Sequence, residues 1–387
     1  MGNNVTLTSA VRSNLNALQA TSQLMSTVQE RLATGKKVNS ALDNPNSFFT
    51  AKGLENRAND LSTLLDDQGQ AIQTLKAADK GISAISELVD AAKAKANQAL
   101  QTSNIGEREQ YATEYNELLT QIEDLAKDAG YKGKNLLGGT GNDLNVVFNE
   151  DGTSDLDITA IDYTDTANGP LSLSELSNSS GGTATFSLNN DGATGAPALT
   201  GGQLVTLDDA FSAGDTLTIT NTAGEETKIE ITDTLTVSQL ETAIGNTSTD
   251  TTASYASGTL TITSTDEAVQ IKSDNASFNS GNTLQAGTLG GFGADSSIDT
   301  VLTSLKSAQD TLRSQASTFG TNLSIVQNRE DFTKDMINTL SEGAGKLTLA
   351  DTNEEGANLL ALQTQQSLAS TSLSLASQAS QNVLRLF

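Results

Sequence analysis

The chain has 387 residues, 22 basic against 47 acidic, for a formal net charge of −25. That balance opposes binding to nucleic acid or anionic lipid, because phosphate contacts need clustered Lys and Arg. Cys, His and Trp are absent, which excludes disulfides, a thiol nucleophile, a Cys/His zinc site and a Ser-His-Asp triad.

Aromatic residues make up only 4% of the chain and Pro occurs three times. Ser, Thr, Asn, Gln, Gly and Ala fill the space. A compact globule of this length carries a larger core, so the composition predicts an elongated protein that buries small side chains along helical seams. The start, MGNNVTLTSAVRSNLNAL, lacks the unbroken apolar stretch of a secretory signal, and no run is long enough for a membrane span. Composition therefore predicts a cytoplasmic protein, or one exported by a route that cleaves no leader.

Charge divides the chain. Residues 1–140 hold 14 basic and 16 acidic residues, 296–387 hold 6 and 9, and 141–295 hold 2 and 22, a net of −20. The first part is helical by period: Val11, Leu15, Leu18, Ser22, Met25, Gln29 and Leu32 alternate in steps of 4 and 3. After a break between Gly35 and Pro45 the spacing resumes at Leu61, Leu65, Gln68, Ile72, Leu75, Asp79, Ile82 and Ile85, and runs on less regularly to Ala92. A third run holds Tyr111, Tyr115, Leu118, Ile122, Leu125 and Ala129, and ends at Gly130.

The middle alternates with period two. VVF (146–148) and LDITAIDY (156–163) flank an EDG turn signal and predict a hairpin. DTLTIT (215–220) and TKIEIT (227–232) flank AGEE. A short helix follows with a capping-box start at Thr236 and Gln239. TASY (252–255) and GTLTIT (258–263) complete a ββαββ unit, and Gly-rich stretches at 179–202 and 279–293 bound it as linkers would.

Helical spacing returns at Ile298, Val301, Leu305, Ala308, Leu312, Phe319, Leu323, Val326, Phe332, Ile337 and Leu340. SEGAGKLTLAD interrupts it. A last run places Leu359, Leu362, Gln366, Ala369, Leu373, Ala376, Ser380, Val383 and Phe387 at steps of 3 and 4. Such stripes pack against partner helices. The fold class is α+β and multidomain. The N- and C-terminal segments pair as a long antiparallel coiled-coil rod, with a β-rich domain inserted between them. The outermost segments, about 1–34 and 357–387, are striped but poor in large apolar residues. Alone they bury too little to offset the entropy of ordering them, so they order when many copies pack side by side. The predicted polymerisation interface is Val11, Leu15, Leu18, Met25, Leu32, Leu359, Leu362, Leu373, Val383 and Leu386.

These features resemble bacterial flagellin, the filament subunit of the flagellum. The join ATGKKVNSALDNP (33–45), the segment GYKGKNLL (130–137) and the ending QASQNVLRLF (378–387) resemble family motifs in family order, with Ser380 where Pro is usual. The likeness covers about 1–175 and 295–387. It implies a structural, non-enzymatic subunit that leaves the cell through the flagellar type III apparatus without a cleaved leader. It also implies polymerisation with copies of itself into an extracellular helical tube that serves motility. An export chaperone, a filament cap and hook-associated proteins are the further partners implied. Domains then run 1–40 and 346–387 for the filament core, 41–175 and 294–345 for the helical rod with its hairpin, and 176–293 for the outer domain. The same layout fits a hook–filament junction protein, and the outer domain fits a displayed adhesive or binding module.

Many flagellins carry an R-x-R-E-L-A-V-type stretch that Toll-like receptor 5 recognises. The matching positions here are Asp90-Ala91-Ala92-Lys93-Ala94-Lys95-Ala96. An acid stands at the first Arg, Lys93 at the Glu and Ala94 at the Leu, whereas Glu114 farther along does match. Losing an Arg and an apolar anchor from such an interface predicts weak receptor binding.

The acidic middle suggests no metal or enzyme site. NEDGTSDLD (149–157) lacks the EF-hand spacing, and carboxylate pairs are inevitable at this density. The charge suits repulsion between outer domains. No cofactor is expected.

Overall fold

A computed structural model of the chain describes residues 9–190 and 196–384, with side chains from Val11 to Ala379 in those ranges. The described residues form six α-helices and nine strands. Helices α1 (Ser9–Thr34), α2 (Pro45–Gln101) and α3 (Ile105–Asp128) come first, and α5 (Asp295–Thr348) and α6 (Thr352–Leu384) come last. Between them lie the strands and one short helix, α4 (Val237–Gly245). Long terminal helices thus enclose a central β-rich region, as the fold class predicts. The chain gathers into two compact units, one of 1–70, 146–156 and 326–387, the other of 71–145 and 157–325.

In the first unit α1 packs against α6. Arg31, late in α1, meets Glu355, early in α6, at 3.0 Å, so the helices run antiparallel. The residues that follow α1 and those that precede α6 are also tied: Ala350 N donates to Gly35 O at 3.0 Å and Lys37 N to Thr348 O at 2.8 Å. Gly35, at φ +70, supplies the left-handed residue that stops α1. In the loop that follows, the Asp43 carboxylate accepts from the Asn39 and Ser40 amides at 2.9 and 2.8 Å. These bonds hold its pKa below the usual carboxylate value, that of Ser40 most. Pro45 then opens α2, where its missing N–H costs nothing. Ala58 and Leu61 pack on Leu340, flanked by Leu54, Leu64, Met336 and Ile337.

In the second unit the buried positions recur at helical spacing on three helices. They include Leu75, Ile82, Ile85 and Val89 of α2, Tyr115, Leu119 and Ile122 of α3, and Ile298, Leu305, Leu312 and Phe319 of α5. The strands β1 (Leu144–Val147) and β2 (Asp155–Ile158), of which residues 146–156 count with the first unit, pair as the expected hairpin. The β-rich module has a three-stranded sheet and a four-stranded sheet. The first, in order β3-β7-β6, uses β3 (Gly182–Ser187), β6 (Thr251–Ala256) and β7 (Thr259–Ser264). The second, in order β5-β4-β8-β9, uses β4 (Thr216–Asn221), β5 (Glu226–Glu230), β8 (Val269–Ser273) and β9 (Leu284–Ala286). Every pairing with a defined register is antiparallel. Their inner faces close on one apolar cluster that includes Leu217, Ile219, Ile229, Leu240, Ile244, Leu260, Ile262 and Ile271. The capping box forms as read, with Thr236 and Gln239 each bonding the other's backbone.

Four expectations are corrected. On α1 the buried positions are Thr21 and Val28, while Ser22 and Gln29 are exposed. The Thr21 hydroxyl bonds Ala17 O at 2.9 Å, which satisfies it inside the seam. On α5 the seam steps by sevens through Phe319, Val326, Thr333 and Leu340, which leaves Phe332 55% exposed. SEGAGKLT is helical, and the interruption is only Leu349–Asp351, because buried Leu340, Ala344 and Thr348 carry the stripe to the end of α5. Finally, the Gly-rich stretches are not linkers. They contain β3 and β9, and Ser180 and Thr288 bridge them.

Candidate assembly surface

The predicted interface residues whose side chains are described fall on one stripe of each terminal helix. Val11, Leu15, Leu18, Met25 and Leu32 of α1 are half-buried, as are Leu359, Leu362 and Leu373 of α6. The Val383 side chain and Leu386 lie outside the described residues. The half-buried set on α6 is completed by Gln366, Ala369 and Ala376, at the spacing read from the sequence. Since α1 and α6 pack on each other, these stripes belong to a helix pair inside one chain.

A second apolar face remains uncovered. Leu360, Leu368 and Leu375 of α6 are 67%, 64% and 62% exposed, and Leu24 of α1 is 57% exposed. Steps of eight and seven put the three α6 leucines on one face. Helix α6 is therefore apolar on two sides, which an isolated helix pair in water does not require. Sequence reading missed this face because a single stripe already explained the heptads. The signal was present in the adjacent pair Leu359-Leu360 and in Leu368 and Leu375, each off the first stripe.

The remaining predicted residues lie in the second unit. Asp90 accepts a hydrogen bond from the Gln309 amide, and Lys93 donates to the Gln309 oxygen at 3.4 Å. Ala94 is exposed and has no side chain beyond Cβ. Glu114 pairs with Lys95 at 2.5 Å, and that partner holds the Glu114 carboxyl below its usual pKa. Asp90 and Lys93 are thus tied to α5, and Glu114 to α2. Among the described residues no group of three carboxylates is placed to hold a metal. Among them also, no helix is long and apolar enough to cross a membrane.

The comparisons address both ends of the chain. Residues 3–142 match the family model for the bacterial flagellin N-terminal helical region, and residues 302–387 match that for the C-terminal helical region. This chain belongs to the bacterial flagellin family. Flagellin A of Rhizobium meliloti is 26% identical over 96% of both chains. Flagellin B of the same organism is 25% identical over 98% of both. A solved structure, that of Xanthomonas campestris FlgL, superposes at a TM-score of 0.33 with 10% identity, over 73% of this chain and 98% of its own, a likeness too low to carry an argument.

As a flagellin, the protein is a structural subunit of the flagellar filament, and it self-assembles outside the cell. Its family is one of structural proteins. The paired helices α1 and α6 lie within the two matched regions, at the chain ends that the family model describes.

Proposed function

We propose that the paired terminal helices are the polymerisation element of this flagellin. In this reading Val11, Leu15, Leu18, Met25, Leu32, Leu359, Leu362, Leu373, Val383 and Leu386 belong to the polymerisation interface, and the described ones among them also serve the α1–α6 pair. Leu24, Leu360, Leu368 and Leu375 then meet neighbouring copies. The observation that supports it is the face of α6 with three leucines each about two-thirds exposed. Uncovered apolar faces of this kind mark contact surfaces. The absence of cysteine makes the test direct. A Leu368→Cys variant should react readily with a thiol reagent as monomer and be protected in filaments. Equal reactivity in both states would remove Leu368 from the interface.

The finer partners follow the same reading. Before export the terminal helices are bound by a flagellar export chaperone, and the chain leaves without a cleaved leader. Filament cap and hook-associated proteins meet the same ends during assembly. The domain layout is a filament core from 1–40 and 346–387, a helical rod from 41–175 and 294–345, and an outer domain from 176–293. Toll-like receptor 5 binding is weak, because Asp90 and Ala94 replace the Arg and apolar anchors. Nothing in this assignment requires catalysis.

A further inference from the structure

The chain crosses between the helices and the β-rich module twice, outward through 166–182 and back through 286–295. Both crossings are fastened to one helix, α3. On the outward crossing, the Thr166 amide and hydroxyl both donate to Glu123 Oε1 at 3.0 Å. Asn116 brackets Leu176, accepting from its N–H at 2.8 Å and donating to its carbonyl at 2.9 Å. Glu109 takes the Ser179 amide at 3.2 Å and the Ser179 hydroxyl at 2.8 Å.

The return crossing is tied to the outward one and to α3. Ser180 and Thr288 exchange both backbone hydrogen bonds at 2.9 Å, and Gly290 N donates to Ser179 Oγ at 3.0 Å. Phe292 stacks edge-on against Tyr115 of α3 at 5.6 Å. Arg108 of α3 is buried. Its guanidinium donates to Thr102 O at 2.7 Å, to Gly293 O at 3.3 Å and to Asp295 Oδ1 at 2.6 Å. A third contact engages a part of the module outside the two crossings, the β4–β5 turn. Gly106, in the first turn of α3, meets the β4–β5 turn so closely that a Cβ there would lie under 3.0 Å from Gly224 backbone. Two tied crossings alone leave room for twisting; a further close contact at another part of the module restrains it.

We propose that α3 is a fixed mount for the outer module. Arg108, Glu109 and Asn116 are positioning residues that lock both crossings, and the Gly106–Gly224 contact blocks rotation. The module then keeps one orientation on the helices of the second unit. Every copy in a filament presents the same acidic surface to its neighbours, so repulsion acts between surfaces in a constant arrangement. The mount belongs to the single subunit, and its test does not depend on the assembly contacts proposed above.

Two spin labels read the orientation in the full-length monomer, one on Thr300→Cys of α5 and one on Asp233→Cys of the module, both exposed positions. The parent protein should give a single narrow distance distribution. Arg108→Gln combined with Glu109→Gln should widen it, and Gly106→Val should shift or widen it. The thermal unfolding of the module should stay at the parent value in these variants. Arg108→Lys, which keeps the charge but loses the fork, should fall between parent and Gln. A broad distribution in the parent overturns the proposal without any variant. A narrow, unshifted distribution in every variant overturns it as well.

Discussion

Leu368→Asp separates contacts inside the subunit from contacts between subunits. Leu368 is 64% exposed in the single chain, so the monomer loses little, within about 0.5 kcal/mol for a surface substitution. Covering the leucine fully is worth roughly 1–2 kcal/mol, about two-thirds of a complete side-chain burial of 1.5–3 kcal/mol. Placing a carboxylate in that contact forfeits this gain and adds an unpaired charge, at about 2 kcal/mol or more. A loss of about 3 kcal/mol per subunit corresponds to a rise of more than about 100-fold in the concentration needed for elongation. The assay is the critical concentration of the variant on preformed seeds, beside the circular dichroism and melting of the monomer. Leu373→Asp is the contrast, since its half-buried site lies on the α1-facing stripe, and it should also lower monomer helicity. Unchanged elongation by Leu368→Asp, with a normally folded monomer, would refute the reasoning.

Other expected outcomes follow. Arg31→Met leaves the buried Glu355 carboxylate without its cation. Because Arg31 is itself partly exposed, the cost is discounted to about 1–2 kcal/mol, read as earlier melting of α1 and α6 by hydrogen exchange. Thr236→Ala removes the capping box of α4 and should lower the stability of the module by about 1 kcal/mol, measured by thermal unfolding. Burial pushes the Tyr115 and Tyr163 hydroxyls up to about 12. The unfolded chain ionises its tyrosines near 10, so it is favoured as pH rises between 10 and 12. Stability should fall there by about 1.4 kcal/mol per pH unit for each tyrosine, and phenolate absorbance should show a late component that coincides with unfolding. In a reporter assay for Toll-like receptor 5, this flagellin should be far weaker than a strong agonist flagellin; equal potency would contradict the reading of Asp90 and Ala94.

Much of the fold was legible because helical period is a strong signal. Leu61, Ile72, Leu75, Ile82 and Ile85 mark α2, and their burial agrees with the spacing, although Asp79 of the same run is exposed and Ala78 is buried in its place. The capping residues Thr236 and Gln239 placed α4 within a run of strands. Where large apolar residues thin out, register becomes ambiguous. On α1 the alternatives at 21/22 and 28/29 differ by one residue, and a threonine that bonds its own helix occupied the seam. Glycines misled for a different reason. Gly181, Gly182, Gly287 and Gly290 allow backbones to approach so closely that a Cβ would lie under 3.0 Å from backbone atoms, and flexibility is the opposite of their role. Arg108 was also readable in retrospect, because it falls on the buried α3 stripe Ile105, Arg108, Ala112, Tyr115. A charged residue at a core position signals a fixed partner. The outward leucines of α6 stayed hidden since a pair of helices uses one stripe, and only the structure separates a stripe already occupied from one still open.

In the proposed assembly this chain builds a filament through its terminal helices. Electron microscopy of the purified chain on short filament seeds, beside a version lacking residues 352–387, tests it most directly. Long uniform filaments from the full chain and none from the truncated one are predicted. Failure of the full chain to elongate, or elongation by the truncated chain, would contradict it.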